Sequence, residues 1–205
     1  MVVFHDVPPN RPTLGVVQFT DERGYKASNW LWVSWIPFVP FGGCYADRIE
    51  SFYPHYFPLR MEGDVTRAAA ISLAHSRLFS DVHVCEEGEA TDRFDYTLTG
   101  RVMRMDYARS YWVYCMMKVC VVAWVLGAPI NSSRTVLQMQ LILRDRNGRV
   151  VWSWLTPGGR DTKRIAQGLY YNSREVYRMI SPLFRNEMND ALEDLKVFLE
   201  TQSYR

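Results

Sequence analysis

The segment TVLQMQLILRDRNGRVVWSWLT, residues 135–156, decides the fold. Residues 135–145 interleave apolar or β-branched positions with polar ones, which predicts a half-buried strand. Asp145-Arg-Asn-Gly148 carries the Asn-Gly signal of a hairpin turn, because Asn and Gly accept the positive φ that such turns need. Residues 149–156 then return antiparallel to the first strand. The segment therefore predicts an antiparallel β-sheet.

Further strands are predicted before this hairpin. Residues 13–20 form a β-branched and aromatic run that ends in a turn. Residues 81–85 alternate as a strand and lead into an acidic turn over residues 86–92. Residues 94–105 also alternate, and we expect Gly100 to bulge the register there.

Two helices complete the pattern. Asp64 is a good N-cap for a helix over residues 65–79, which carries one broad apolar face. Ser181 and Pro182 supply the N-cap and first position of a second helix. Its apolar positions at helical spacing are Phe184, Met188, Ala191, Leu192, Leu195, Phe198 and Leu199.

The order of these elements predicts a single α+β domain. We expect a mainly antiparallel sheet, two principal helices packed on one face, and an apolar hairpin insertion. Residues 1–12 are Pro-rich and predict an extended N-terminal arm, residues 13–200 form the domain, and residues 201–205 form a C-terminal tail.

Composition and net charge limit the classes of function that the chain can have. The 205 residues are 48% hydrophobic and 22% charged, which is typical of one well-packed domain. The net charge of +2 is too small to indicate nucleic acid as a partner. For the cysteines, Cys44, Cys85, Cys115 and Cys120, we expect buried free thiols, and one disulfide involving Cys44 or Cys85 stays open.

No catalytic or metal-binding motif is present in the sequence. His83 and Cys85 share one face of a strand, but two further ligands would have to come from elsewhere. The carboxylates of residues 86–89 fit a solvated turn. Those of the last helix, Glu187, Asp190, Glu193 and Asp194, are predicted to lie opposite its apolar stripe. We therefore expect no catalytic residue, no metal, no cofactor and no enzymatic activity.

Two segments contain more aromatic residues than a regular sheet strand would explain. In the first, residues 30–41, Pro37 and Pro40 forbid a regular helix, and the following Gly42-Gly43 invites a turn. The second, residues 111–129, contains an apolar run too short to span a bilayer. Both segments either fold inward to supply the core or form an exposed apolar surface for a partner. The residues predicted to bind a partner are Trp30, Trp32, Trp35, Phe38, Phe41, Tyr111, Trp112 and Trp124.

The chain resembles a known family along most of its length. The segments that carry the resemblance are residues 14–23, 36–42, 78–84, 94–101, 124–129, 141–152 and 168–172. They resemble a group of bacterial cell-envelope lipoproteins. The domain of that group is similar to the amino-terminal domain of the Tol-system propeller protein and to lipoprotein activators of peptidoglycan synthases.

The resemblance implies a periplasmic domain associated with the outer membrane that binds other proteins. The leader and lipid-bearing cysteine expected of that group do not precede Thr13, so a cytoplasmic location is the alternative.

Three hypotheses follow. The first is a non-catalytic assembly or scaffold subunit that binds protein partners in an envelope complex, with a homo-oligomer and a peripheral membrane contact as further forms of binding. The second is a small-ligand or lipid carrier whose aromatic segments line a cavity. The third is an enzyme using His83, Cys85 or the carboxylates, and it has the least support.

Overall fold

The computed structural model describes residues 11–30, 41–48, 60–86, 88–112, 129–157, 160–167 and 174–203. These residues form nine strands and two helices. In chain order they are β1 (Thr13–Val17), β2 (Thr20–Asp21), β3 (Ala27–Asn29), β4 (Phe41–Ala46), α1 (Met61–Ser76), β5 (Asp81–Cys85), β6 (Tyr96–Trp112), β7 (Pro129–Asp145), β8 (Val150–Leu155), β9 (Arg160–Gln167) and α2 (Arg174–Ser203).

The antiparallel pair β6 and β7 organises the sheet, because each strand is 17 residues long and the two pair along nearly their whole length. At 3.3 Å per residue each strand spans roughly 56 Å. The base of the sheet is the end where Tyr96 pairs with Asp145, and the upper end is the end where Tyr111 pairs with Asn131. The strand order is β5-β1-β6-β7-β8 at the base and β3-β4-β6-β7-β9 at the upper end.

The predicted α+β class is confirmed. The sheet is mainly antiparallel, with parallel pairing where β1 lies between β5 and β6 and where β2 meets β6. Both helices pack on one face of it, and their apolar side chains meet those of the central strands in one core. The fully buried large side chains of this core include Phe19, Leu14, Leu73, Leu98, Met139, Leu143, Met188, Leu192 and Leu195.

The strands near the upper end differ from prediction. Gly42 and Gly43 were expected to turn the chain, but they lie in β4, which pairs with β6. A Cβ on Gly43 would lie 2.6 Å from Cζ2 of Trp30, so this glycine makes room for an indole ring. The strand β6 continues to Trp112, well beyond its predicted end at residue 105, and β9 was not predicted.

The register of β6 also differs from prediction. The irregularity falls between Val102 and Arg104 instead of at Gly100. Gly100 serves packing, because the ring of Phe19 occupies the space where its Cβ would stand.

The first helix begins at Met61 and ends at Ser76, earlier at both ends than predicted. Asp64 is not the N-cap, but its Oδ2 accepts a hydrogen bond from the backbone amide of Arg60, which does occupy the N-cap. Arg77 then takes a left-handed conformation with φ of 61°, which stops the helix.

The second helix begins at Arg174, so Ser181 and Pro182 lie inside it instead of starting it. A proline in a helix removes one backbone hydrogen bond. Met179 and Leu183 continue the apolar stripe on both sides of Pro182 and are 2% and 3% exposed, and their burial offsets that loss.

One predicted carboxylate position is wrong. Glu187 is 0% exposed, although we expected it opposite the apolar stripe. It lies one turn after Leu183 and one turn before Ala191, so helical spacing places it within the stripe. Glu193 and Asp194 are exposed, as expected.

Candidate functional site

The ends of both aromatic segments lie at the upper end of the sheet. Phe41 pairs with Trp112 across β4 and β6, and on the far side Pro129 of β7 pairs with Gln167 of β9. Neighbouring strands lie about 4.8 Å apart, so the five strands β3-β4-β6-β7-β9 span roughly 19 Å. The chain thus enters and leaves the two segments within one small region.

Trp30 fixes the start of the first segment on this end. Its backbone amide donates a hydrogen bond of 2.9 Å to the carbonyl oxygen of Gly43, which extends the pairing of β3 with β4. Its indole lies against Gly43, and the side chain is half-buried. A tryptophan held in this way presents a large ring with little entropy left to lose on binding.

The other predicted partner-binding residues divide into two groups. The backbone of Phe41, Tyr111 and Trp112 lies in β4 and β6, so these residues belong to the sheet and not to an insertion. Trp32, Trp35, Phe38 and Trp124 lie outside the described residues. Binding by this set stays a prediction.

An ion-pair cluster fixes the loop between β2 and β3. Asp21 receives two hydrogen bonds of 2.9 Å from the guanidinium of Arg23, and Arg48 lies 3.2 Å from the same carboxylate. The Arg48 guanidinium also stacks 3.8 Å from the centre of the Tyr25 ring. Burial alone would raise the pKa of Asp21, but the hydrogen bonds and positive charges of the two arginines lower it on balance.

A second polar cluster lies beside β4. The hydroxyl of Tyr45 donates a hydrogen bond of 2.6 Å to Asp47, and Arg104 pairs with the buried Asp106. Burial, the bond to Asp47 and the charge of Asp106 raise the pKa of Tyr45 to about 12. The hydroxyl therefore stays protonated at neutral pH and donates its hydrogen bond to Asp47.

An apolar groove of 350 Å³ runs between α1 and α2. Its floor is formed by Val102, Met105 and Leu137 of the sheet. The walls are lined by Asp64, Val65, Ala68, Ile71, Ser72, Ile180, Ser181, Phe184, Arg185 and Asn189. Trp30 does not line it, so this groove differs from the aromatic cavity that the carrier hypothesis expects.

The two candidate metal ligands, His83 and Cys85, are a histidine with other contacts and a buried thiol. His83 stacks on Phe94 with ring centroids 5.8 Å apart, and its Nε2 lies 3.4 Å from Glu89. Cys85 is buried, and burial raises the pKa of its thiol. Cys44 is also a buried free thiol, as expected. Across the described ranges, no three His, Cys, Asp or Glu side chains are grouped so that they could hold a metal ion.

The apolar run that was predicted to be too short to span a bilayer, within residues 111–129, lies mostly outside the residues that the structure describes. Among the helices that are described, none is both long and apolar enough to cross a bilayer.

Comparison with known proteins adds a few distant neighbours. No family model matches the sequence, and no curated protein matches it. A PelC dodecamer from Paraburkholderia phytofirmans is 15% identical, with 87% of this chain and 88% of that chain covered at a TM-score of 0.36. Protein XCC0632 from Xanthomonas campestris, of family model DUF330, is 10% identical, with 100% and 94% covered at a TM-score of 0.45.

A third neighbour is lipoprotein GNA1162 from Neisseria meningitidis, which is 14% identical, with 87% of this chain and 99% of that chain covered at a TM-score of 0.33. A lipoprotein thus stands among the structural neighbours. The similarity to the Tol-system propeller protein stays a prediction.

Sequence reasoning missed the groove. Its lining comes from α1, the sheet floor and α2, which are far apart in the chain. A sequence signal was the position of Ile71, which helical spacing places on the same helix face as Ala68 and Ser72.

Proposed function

We propose that the protein is a non-catalytic subunit of a cell-envelope assembly that binds other proteins through the upper end of its sheet. The observation that carries the proposal is the strand register, which brings the ends of both aromatic segments to one edge about 19 Å wide. Aromatic side chains concentrated on a small rigid surface are the residues that most often dominate the free energy of protein association.

The way in which Trp30 is held at this edge supports the proposal. Its backbone amide donates a hydrogen bond to the carbonyl oxygen of Gly43, and its ring packs on the same glycine. A pre-organised surface loses less conformational entropy on binding than a flexible one, and therefore binds more tightly for the same contacts. The periplasmic, outer-membrane-associated location belongs to the proposal as well, and rests on the family resemblance.

Self-association is the form of protein binding that can be tested with the chain alone. We expect the full chain to sediment as an oligomer, and the double variant Trp32→Ser/Trp35→Ser to sediment as a monomer with an unchanged far-UV circular dichroism spectrum. Val197→Ser is the matched control, because Val197 is 62% exposed on α2 and is not part of the aromatic segments. This control should sediment like the unaltered chain.

The proposal fails if the unaltered chain is a monomer at every concentration tested and Trp32 and Trp35 are both protected from acrylamide quenching. That result would place the aromatic segments in the protein's own core. An oligomer that survives the double variant would also contradict the proposed binding surface.

A further inference from the structure

We propose that the groove between α1 and α2 binds a single-chain carboxylate amphiphile, a free fatty acid, with its chain over the sheet floor and its carboxylate at Arg185. The site is separate from the aromatic end of the sheet and independent of the protein-binding proposal. The size of the groove, the chemistry of its lining and an arginine without an ion-pair partner among the described residues support this assignment.

The size of the groove suits a slender ligand. A volume of 350 Å³ lies within the range of small-molecule sites. An extended alkyl chain is much narrower than an α-helix with its side chains, which is about 10 Å wide, so it can lie between α1 and α2 within this volume.

The lining is apolar where a chain would lie. Val102, Met105 and Leu137 form the floor, and Ile180 and Phe184 pack against the same small cluster from α2. Ile71 stands on the α1 side with half of its surface exposed. Covering such apolar surface with a chain gains roughly 25 cal/mol for each Å² removed from water.

A cation on the α2 side of the groove offers a partner to an acid. Arg185 lines the groove, is exposed, and has no ion-pair partner among the described residues. Asn189 follows it by four residues, so its amide lies on the same side of α2. A planar guanidinium matches a carboxylate with two parallel hydrogen bonds, and one such cation balances one carboxylate charge. Asp64 also lines the groove, from α1, and its carboxylate stays charged while it accepts a hydrogen bond from the amide of Arg60, so the ligand's carboxylate is placed at Arg185 on α2.

Isothermal titration with dodecanoate and 1-dodecanol tests the proposal on the full chain. We expect dodecanoate to bind with one site per chain and more tightly than 1-dodecanol. Arg185→Gln should weaken dodecanoate binding at least threefold and leave 1-dodecanol binding unchanged. Ala68→Trp, which fills the groove, should weaken the binding of both ligands at least tenfold.

Matched controls separate the groove from the rest of the surface. Ala74→Trp makes the same change at an exposed position of α1, and Arg149→Gln removes an exposed arginine at the β7–β8 turn. Both should bind dodecanoate like the unaltered chain. If Ala68→Trp does not fold, Ile71→Glu replaces it, because Ile71 is 50% exposed and a carboxylate there repels the ligand.

Several results would overturn the proposal. One is that dodecanoate does not bind, and another is that the folded groove variant, Ala68→Trp or Ile71→Glu, binds it unchanged. Equal losses for dodecanoate and 1-dodecanol in Arg185→Gln would remove the role of the carboxylate. A dimer that Ala68→Trp dissociates, without any dodecanoate binding, would show that a second copy of the chain covers the groove.

Discussion

Gly100→Ala lowers the free energy of unfolding by about 3 kcal/mol, the largest effect that we expect from a single added methyl group. A Cβ on Gly100 would lie 2.5 Å from Cδ2 and Cζ of the Phe19 ring. Phe19 is 1% exposed and packed among core side chains, so the ring has no free space into which it can move. Urea unfolding followed by circular dichroism measures the change.

A second glycine provides the control with the opposite sign. Gly63 lies in α1, and a Cβ there would meet nothing within 4 Å. Gly63→Ala should therefore stabilise the protein by up to about 1 kcal/mol, because alanine is the better helix former. In a Phe19→Ala background the Gly100→Ala change should cost far less, since the ring that it strikes is gone. A full loss in that background would contradict the assigned contact.

Asp21→Asn lowers the free energy of unfolding by about 3 kcal/mol at pH 7. The side chain of Arg23 is 1% exposed, and both oxygens of Asp21 accept hydrogen bonds from it. The amide of asparagine carries no charge and offers only one accepting oxygen to this fork of donors. Asp81→Asn, at an exposed position of β5, is the control and should change stability by less than about 0.5 kcal/mol.

The stability difference between the unaltered chain and Asp21→Asn should also depend on pH. The pKa of Asp21 in the folded protein is lowered from 3.8, so its ionised form contributes stability above that pH. This contribution is lost as the pH falls from 3.8 through the folded pKa, because the unfolded state then binds the proton first. The difference between the unaltered chain and Asp21→Asn should therefore shrink below about pH 4. A difference that stays constant from pH 7 to pH 3 would contradict the role of the charge.

The base of the fold could be predicted from sequence because local signals there agree with tertiary packing. The Asn-Gly turn between β7 and β8 and the alternation of β5 each mark one element. Trp152 and Trp154 share a face, and Trp152 reaches the core and donates a hydrogen bond of 2.7 Å to Asp194 of α2. At these positions the local pattern and the burial require the same conformation.

The upper end could not be predicted in the same way. Gly42 and Gly43 carry a strong turn signal, yet the pairing of β4 with β6 and the ring of Trp30 decide their conformation. Pro182 similarly signals a helix start, yet the burial of Met179 and Leu183 carries α2 through it. In each case contacts between residues distant in sequence override a local preference.

Hydroxyl-radical footprinting of the tryptophans, on the full chain as monomer and as oligomer, tests the central claim most directly. Trp152, which is 7% exposed, is the internal reference for a buried ring. We predict that Trp32, Trp35 and Trp124 are oxidised much faster than Trp152 in the monomer and become protected in the oligomer. Oxidation of all three as slowly as Trp152 in the monomer would contradict the account, because it would show that the aromatic segments complete the protein's own core.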